Sequence, residues 1–206
     1  MEKKIYSLEV GGKTLTAEFN DWADQASGSV LMRYGNSAVL ATAVMGSRES
    51  NLDYFPLSVE YEEKFYAAGA ILGSRFMRRE GRPSEEAVLS GRIVDRTIRP
   101  LFPKGLKRDV QVIITVLSIE EYDTDVLAVN AASLAIATSN IPWNGPVSAM
   151  RLELADDNTF IVNPSYKERE AEGVRMDLLA CGKDGLINMI EVGAHEVPED
   201  TLEKAL

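Results

Sequence analysis

The sequence is poor in the residues that build covalent or metal-held frameworks. Cys181 is the only cysteine among 206 residues and His195 the only histidine. A single thiol excludes an intramolecular disulfide and any multi-cysteine metal site. A single imidazole leaves no partner for a histidine-based metal cluster. Cys181 and His195 could in principle act as nucleophile and base. Cys181, however, lies in the apolar run Leu178-Leu179-Ala180-Cys181, where a buried, inert thiol is the expected state. No apolar stretch approaches the ~18 residues of a membrane span, and Met1-Glu2-Lys3-Lys4 leads into an amphipathic strand rather than a signal-peptide core. The expected setting is cytoplasmic, reducing and free of membrane. Short-period repeats and low-complexity tracts are also missing.

Basic residues are in the minority: 22 Lys plus Arg face 32 Asp plus Glu, a formal charge of −10. That balance looks wrong for a nucleic-acid binder, but it is unevenly spread. The window from Arg75 to Arg108 holds ten basic and four acidic residues, a charge of +6, which leaves −16 on the remainder. An acidic body with one concentrated basic segment asks for a polyanionic partner or a local explanation. Apolar residues make up 45% of the chain, enough for a packed core.

The patterning predicts an α+β fold. Ile5 to Val10 and Lys13 to Phe19 alternate around Gly11-Gly12, a hairpin signature. Val30 to Tyr34 and Ala38 to Val44 repeat it around Gly35-Asn36, and Leu57 to Tyr61 reads as a further strand. From Glu62 to Pro83 neither period is visible, and a connection of that length in a compact domain is usually functional or disordered. Ser84 then caps a helix that carries Glu85 and Glu86 in its first turn and stops at Arg99 before Pro100. Val110 to Leu117 is a buried strand and Val126 to Thr138 a small-residue helix. Ile141-Pro142-Trp143-Asn144-Gly145-Pro146 is a dense turn cluster. It divides the chain into residues 1–143 and a second, strand-rich subdomain at 144–206. The second part contains hairpins around Asp156-Asp157-Asn158 and Lys183-Asp184-Gly185. Pro198-Glu199-Asp200 opens a helix that ends with the chain at Leu206, the pattern of a piece cut from something longer.

Within the basic window, Arg92, Arg96 and Arg99 recur at i, i+4 and i+7 and fall on one helical stripe, opposite Ala87, Val94 and Ile98. An ordinary solvated face with local pairs such as Asp95 with Arg99 accounts for such a stripe. The preceding segment is harder to explain that way. In Gly73-Ser74-Arg75-Phe76-Met77-Arg78-Arg79-Glu80-Gly81-Arg82-Pro83, two apolar side chains stand among four arginines with no stripe to join. Rings stack on bases at ~1–3 kcal/mol each, and arginines meet phosphates through bidentate hydrogen bonds, so the pattern suits single-stranded nucleic acid.

Phe76 through Pro83-Ser84, then Gly91-Arg92-Ile93-Val94-Asp95-Arg96-Thr97-Ile98-Arg99-Pro100-Leu101-Phe102-Pro103-Lys104, closely resembles the bacterial polynucleotide phosphorylase family. Tyr66-Ala67-Ala68-Gly69 and Ile141 to Pro146 resemble further signatures, and the likeness runs from about Leu8 to the chain end. The resemblance implies the first of two ribonuclease PH-like copies, with a ribosomal-protein-like βαβα sheet-and-helix core. It also implies a ring-shaped homotrimer around single-stranded RNA and contact with a second ribonuclease PH-like domain of the same longer chain. RNA-binding domains of the KH and OB-like kinds would follow, and the resemblance extends to partners of an RNA-degradation complex. The implied reaction is phosphorolysis of mRNA from its 3′ end, with inorganic phosphate as co-substrate, nucleoside diphosphates as products and Mg²⁺ held in the second copy, outside this chain.

Carried over residue by residue, the resemblance assigns RNA contact to Phe76, Met77, Arg78, Arg79, Arg82, Arg92, Arg96 and Arg99. Met77 stands where many members have a second aromatic, and Arg75 is an extra residue in the loop. Active copies also hold phosphate in a Gly/Ser/Thr-rich turn before the small-residue helix; here that turn is Tyr122-Asp123-Thr124-Asp125, whose carboxylates repel phosphate. Two metal-binding aspartates of active copies align with Arg169 and Arg175, with Glu168, Glu170, Glu172 and Asp177 nearby. A guanidinium offers Mg²⁺ no oxygen ligand. No catalytic residue and no metal ligand is therefore assigned to this chain. The favoured reading is a noncatalytic, RNA-guiding and ring-forming core of a larger enzyme. The alternatives are a self-sufficient ribonuclease PH-type nuclease and a purely structural ring subunit.

Overall fold

A computed structural model describes residues 3–71 and 81–206. The first hairpin pairs β1 (Lys4–Val10) with β2 (Lys13–Phe19) across Gly11 and Gly12, both at positive φ, the geometry that a two-residue turn of this hand requires. β3 (Gly28–Tyr34) and β4 (Ser37–Glu49) form the second hairpin. β4 runs five residues beyond the strand expected from patterning. It stays paired, through an irregularity after Met45, with β6 (Arg108–Ser118) as far as Glu49 opposite Arg108. β5 (Leu57–Glu63) joins β6 in parallel, giving a six-stranded sheet in the order β1-β2-β3-β4-β6-β5.

The stretch after β5 is more ordered at its start than its composition suggests. Phe65–Ala68 forms a short 3₁₀ turn closed by Gly69 in the left-handed region. Helix α1 (Glu85–Ile98) begins where expected: Ser84 Oγ accepts the Ala87 N–H at 3.0 Å. Pro100 sits inside a final 3₁₀ turn rather than ending the helix abruptly. Helix α2 (Thr124–Ala137) is largely apolar on both faces because it is covered on both sides, by β3, β4 and β6 of the large sheet and by β7 (Ser148–Leu154) of the second. Ala128, Ala131, Ala132 and Ala135 are fully buried, which lets the backbones approach closely.

The second sheet has the order β10-β9-β7-β8, built from β7 (Ser148–Leu154), β8 (Phe160–Val162), β9 (Met176–Lys183) and β10 (Leu186–Ala194). Its inner face contributes Ala149, Leu179, Cys181 and Met189 to the same hydrophobic core that α2 and the large sheet form. Its outer face packs Leu154, Met176 and Leu178 against Leu202 and Ala205 of α4 (Glu199–Ala205). A one-turn helix α3 (Tyr166–Arg169) carries a capping box between Ser165 and Glu168. The turn cluster at 141–146 is pinned beneath the end of α1: Trp143 Nε1 donates to Ile98 O at 3.1 Å, and Asn144 N–H donates to Leu101 O at 2.9 Å. Cys181 is buried in the core, where burial pushes its thiol up, and His195 is exposed just past β10. Among the described residues no helix is long and apolar enough to cross a membrane.

Candidate functional site

Two places in this architecture hold the residues singled out from the sequence: the exposed face of α1 and the N-terminus of α2. On α1, Arg92, Arg96 and Arg99 all reach the surface, with Ala87, Val94 and Ile98 buried behind them. The three arginines are not equivalent. Arg99 forms a fork on Asp95, with Nε to Oδ2 at 2.9 Å and Nη2 to Oδ1 at 2.6 Å. Two of its three remaining protons go to Phe55 O and Leu57 O, each at 3.2 Å, and the guanidinium lies over the Phe55 ring. Arg99 therefore ties the end of α1 to the start of β5. Arg92 and Arg96 make no ion pair with a described residue. Arg82 is exposed at the approach to α1. Phe76, Met77, Arg78 and Arg79 lie outside the described residues.

The α2 N-terminus would be a ready anion site if its amides were open, since unpaired N–H groups and the helix dipole both favour negative charge. Here Asp123 closes it. Its carboxylate accepts the Asp125 N–H at 2.8 Å and is almost fully buried. Arg151, from the inward-facing side of β7, lies with Nε 2.5 Å from Asp123 Oδ2 and donates Nη1 to both oxygens of Asp177 at 2.9 and 2.8 Å. Arg169, at the end of α3, bridges the same two carboxylates, 3.3 Å from Asp123 and 3.2 Å from Asp177. Asp125 stands 3.9 Å from Arg151. Arg175 does not join this network; its Nη1 bonds Asn158 Oδ1 at 3.0 Å across the β7–β8 hairpin. The residue of β9 that faces the α2 N-terminus is Asp177, two positions further on.

Arg151 has no role foreseen from the sequence, and Asp177 is foreseen only as one of the carboxylates near Arg169 and Arg175. The available signal is the alternation of β7, which places Arg151 and Glu153 on the inner face with Ala149, an unusual position for charge. Glu153 is 1% exposed and directly opposite Asp177 in the β7–β9 register, and both its carboxylate oxygens lack a hydrogen-bond partner. Burial, then the nearby Asp177 charge, pushes its pKa up. Asp125 is raised from 3.8 to about 6, first by burial and then by Asp123.

Among the described residues, no group of three or more His, Cys, Asp or Glu side chains is arranged to hold a metal ion. The donor set does not fit one either, because two guanidinium groups stand between the carboxylates and neutralise them directly. Phosphate meets the same obstacle in reverse: both arginines that could bind it are already paired with aspartates.

Residues 11–142 match the 3′ exoribonuclease family, domain 1, and residues 145–206 match domain 2 of the same family. The chain belongs to that family. It is 48% identical over 202 residues to polyribonucleotide nucleotidyltransferase of Thermus thermophilus, an alignment covering 98% of this chain and 28% of the relative. It is 43% identical over 206 residues to the Bacillus subtilis protein of the same name, covering 100% of this chain and 29% of that one. Rice Rrp46 shares the fold with a TM-score of 0.72 at 13% identity, over 98% of this chain and 84% of the other. The chain thus spans under a third of the length of these curated polyribonucleotide nucleotidyltransferases.

The two sites give separable expectations for stability. Arg151→Ala leaves the buried Asp123 charge with only its longer contact to Arg169 and should cost about 3–5 kcal/mol. Arg99→Ala removes partly exposed bonds and should cost on the order of 1 kcal/mol. Arg92→Ala and Arg96→Ala should leave stability within about 0.5 kcal/mol of the parent. Urea denaturation of the four variants measures all of these.

Asp125 gives a pH signature. Its folded pKa lies above its unfolded value, so the folded chain holds this proton more tightly and loses stability as pH rises from about 4 to about 6. Asp125→Asn should therefore gain stability over the parent across that interval, by on the order of 1–2 kcal/mol at neutral pH. Melting temperatures of both proteins between pH 4 and 7 report the difference, and parallel profiles would count against it.

Proposed function

We propose that this chain is the noncatalytic first core of a phosphate-dependent 3′–5′ exoribonuclease of the polyribonucleotide nucleotidyltransferase kind, one that guides RNA and builds the ring. The observation that carries the reading is the occupied α2 N-terminus: Asp123, Arg151, Arg169 and Asp177 pair in charge with one another, although Arg151 Nε and Arg169 Nε are left without a hydrogen bond, where phosphate and a metal ion would otherwise be held. Catalysis then belongs to a second ribonuclease PH-like domain of a longer chain, where phosphate and Mg²⁺ act. The present chain contributes the basic surface. Arg92 and Arg96, exposed on one stripe of α1, steer RNA phosphates. Arg99 holds that stripe in place and presents its remaining exposed edge. Phe76, Met77, Arg78, Arg79 and Arg82 supply the grip on the single strand. Residues 1–143 and 144–206 serve as the two subdomains of this core, working as part of a homotrimer in the cytoplasm, where partners of RNA degradation have access.

The test compares this chain with the longer protein, each incubated with single-stranded RNA, phosphate and Mg²⁺. The longer protein should release nucleoside diphosphates and this chain none. Phosphate-dependent diphosphate release by this chain alone would favour the self-sufficient nuclease. In the longer protein, Arg96→Asp should lower phosphorolysis tenfold or more, about 1.4 kcal/mol per decade, with an unchanged melting temperature. Unchanged activity would return the stripe to an ordinary solvated face. Phe76→Ala should weaken RNA binding by about 1–3 kcal/mol. Replacing Arg78 and Arg79 should instead flatten the salt dependence by roughly 0.7 in slope for each RNA phosphate no longer neutralised.

A further inference from the structure

The turn Phe65–Ala68 has no role in the reading above, yet it is built to present aromatic rings. Its backbone is held by four hydrogen bonds. Ala67 N–H donates to Lys64 O at 2.8 Å, Gly69 N–H to Tyr66 O at 3.0 Å and Ala70 N–H to Phe65 O at 3.0 Å. Ala67 points inward, and its carbonyl accepts the Ile119 N–H at 2.9 Å, fixing the turn to the end of β6. Gly69 reverses the chain at φ 68°, a conformation that costs glycine little. The outcome is that Phe65 and Tyr66 are turned outward, 44% and 56% exposed.

Two adjacent exposed rings on a rigid turn lose little entropy on meeting a flat partner. Their surroundings point to the kind of partner. Phe65 shares a cavity of about 560 Å³ with Arg82 and Pro83, so the start and the end of the arginine-bearing connection converge on it. Two acids line the same cavity: Glu62 is paired with Lys64 at 2.8 Å, and Glu63, which accepts the Ser84 hydroxyl at 3.1 Å, keeps its charge. A surface that combines stacking faces with a nearby guanidinium fits a nucleobase with its phosphate better than it fits an apolar protein segment.

Resting on the reading that this chain handles single-stranded RNA, we propose that Phe65 and Tyr66 form a second base-stacking platform, with Arg82 as its phosphate contact. Binding of labelled oligo(A) to the protein, measured by anisotropy across a salt series, tests it. Tyr66→Ala and Phe65→Ala should each weaken binding about tenfold. The salt slope should stay unchanged, since every phosphate keeps its cation, and Tyr66→Trp should restore affinity. Arg82→Ala should lower the slope by about 0.7. A measurement that needs no variant is photo-crosslinking of 4-thiouridine RNA, which should place adducts on Phe65 or Tyr66.

Alanine variants with unchanged melting temperature that bind like the parent would overturn the platform, as would adducts found only elsewhere. If RNA affinity depends on Arg92 and Arg96 but not on these rings, the platform alone falls. If the parent binds no RNA at all, the functional reading falls with it.

Discussion

Arg151 is the residue on which the rest of this structure turns. It projects from the inner face of the second sheet into the N-terminus of α2, where it contacts Asp123, Asp125 and Asp177 at once. Three elements distant in sequence are thereby held at one point: the cap of α2, the middle of β7 and the start of β9. A buried ion pair gains little net stability over an apolar contact of the same shape, but removal of one partner is expensive. The network therefore fixes the relative placement of the two sheets without dominating the stability. It also leaves a deficit: Glu153 sits beside Asp177 with its oxygens unpaired, and both Glu153 and Asp125 resist ionisation.

On the proposed reading, that single arrangement separates chemistry from RNA handling. A helix N-terminus that carries its own carboxylate offers an anion a weakened field, and arginines whose charge is already balanced by aspartates have little net charge left for phosphate. The positive charge that stays available lies elsewhere, on the outer stripe of α1, where Arg92 and Arg96 stand free of ion pairs with the described residues. Arg99 occupies a middle position. Its hydrogen bonds to Asp95 and to the carbonyls of Phe55 and Leu57 make it the anchor of the stripe rather than its most available charge. The acidic body and the basic window seen in composition are thus two uses of charge in one fold, one internal and neutralised, the other external and open.

Local signals in the sequence are enough for the elements but not for this division. Gly11-Gly12, Ser84 and the small-residue run of α2 specify a hairpin, a helix start and a buried helix because each acts through neighbours a few residues away. Aspartates at 123 and 125 are legible as hostile to phosphate for the same reason. The partnership of Arg151 with Asp177 spans 26 residues and depends on strand register, which no local pattern encodes. A displacement of two residues along β9 separates Arg175, which faces the Asn158 hairpin, from Asp177, which faces the site. The full length of β4 is hidden because its last residues are held by pairing with β6 and carry no alternation of their own. The commitment of Arg99 is visible only as a pair with Asp95; its two backbone acceptors lie more than forty residues earlier.

The central claim is that the α2 N-terminus is closed to phosphate by the chain's own side chains. The most direct measurement is a calorimetric titration of inorganic phosphate into this chain, with Asp123→Ser as the comparison. No saturable heat is expected from the parent at millimolar phosphate. Saturable one-to-one binding by the parent that Arg151→Ala or Arg169→Ala abolishes would show an open anion site at this position and contradict it.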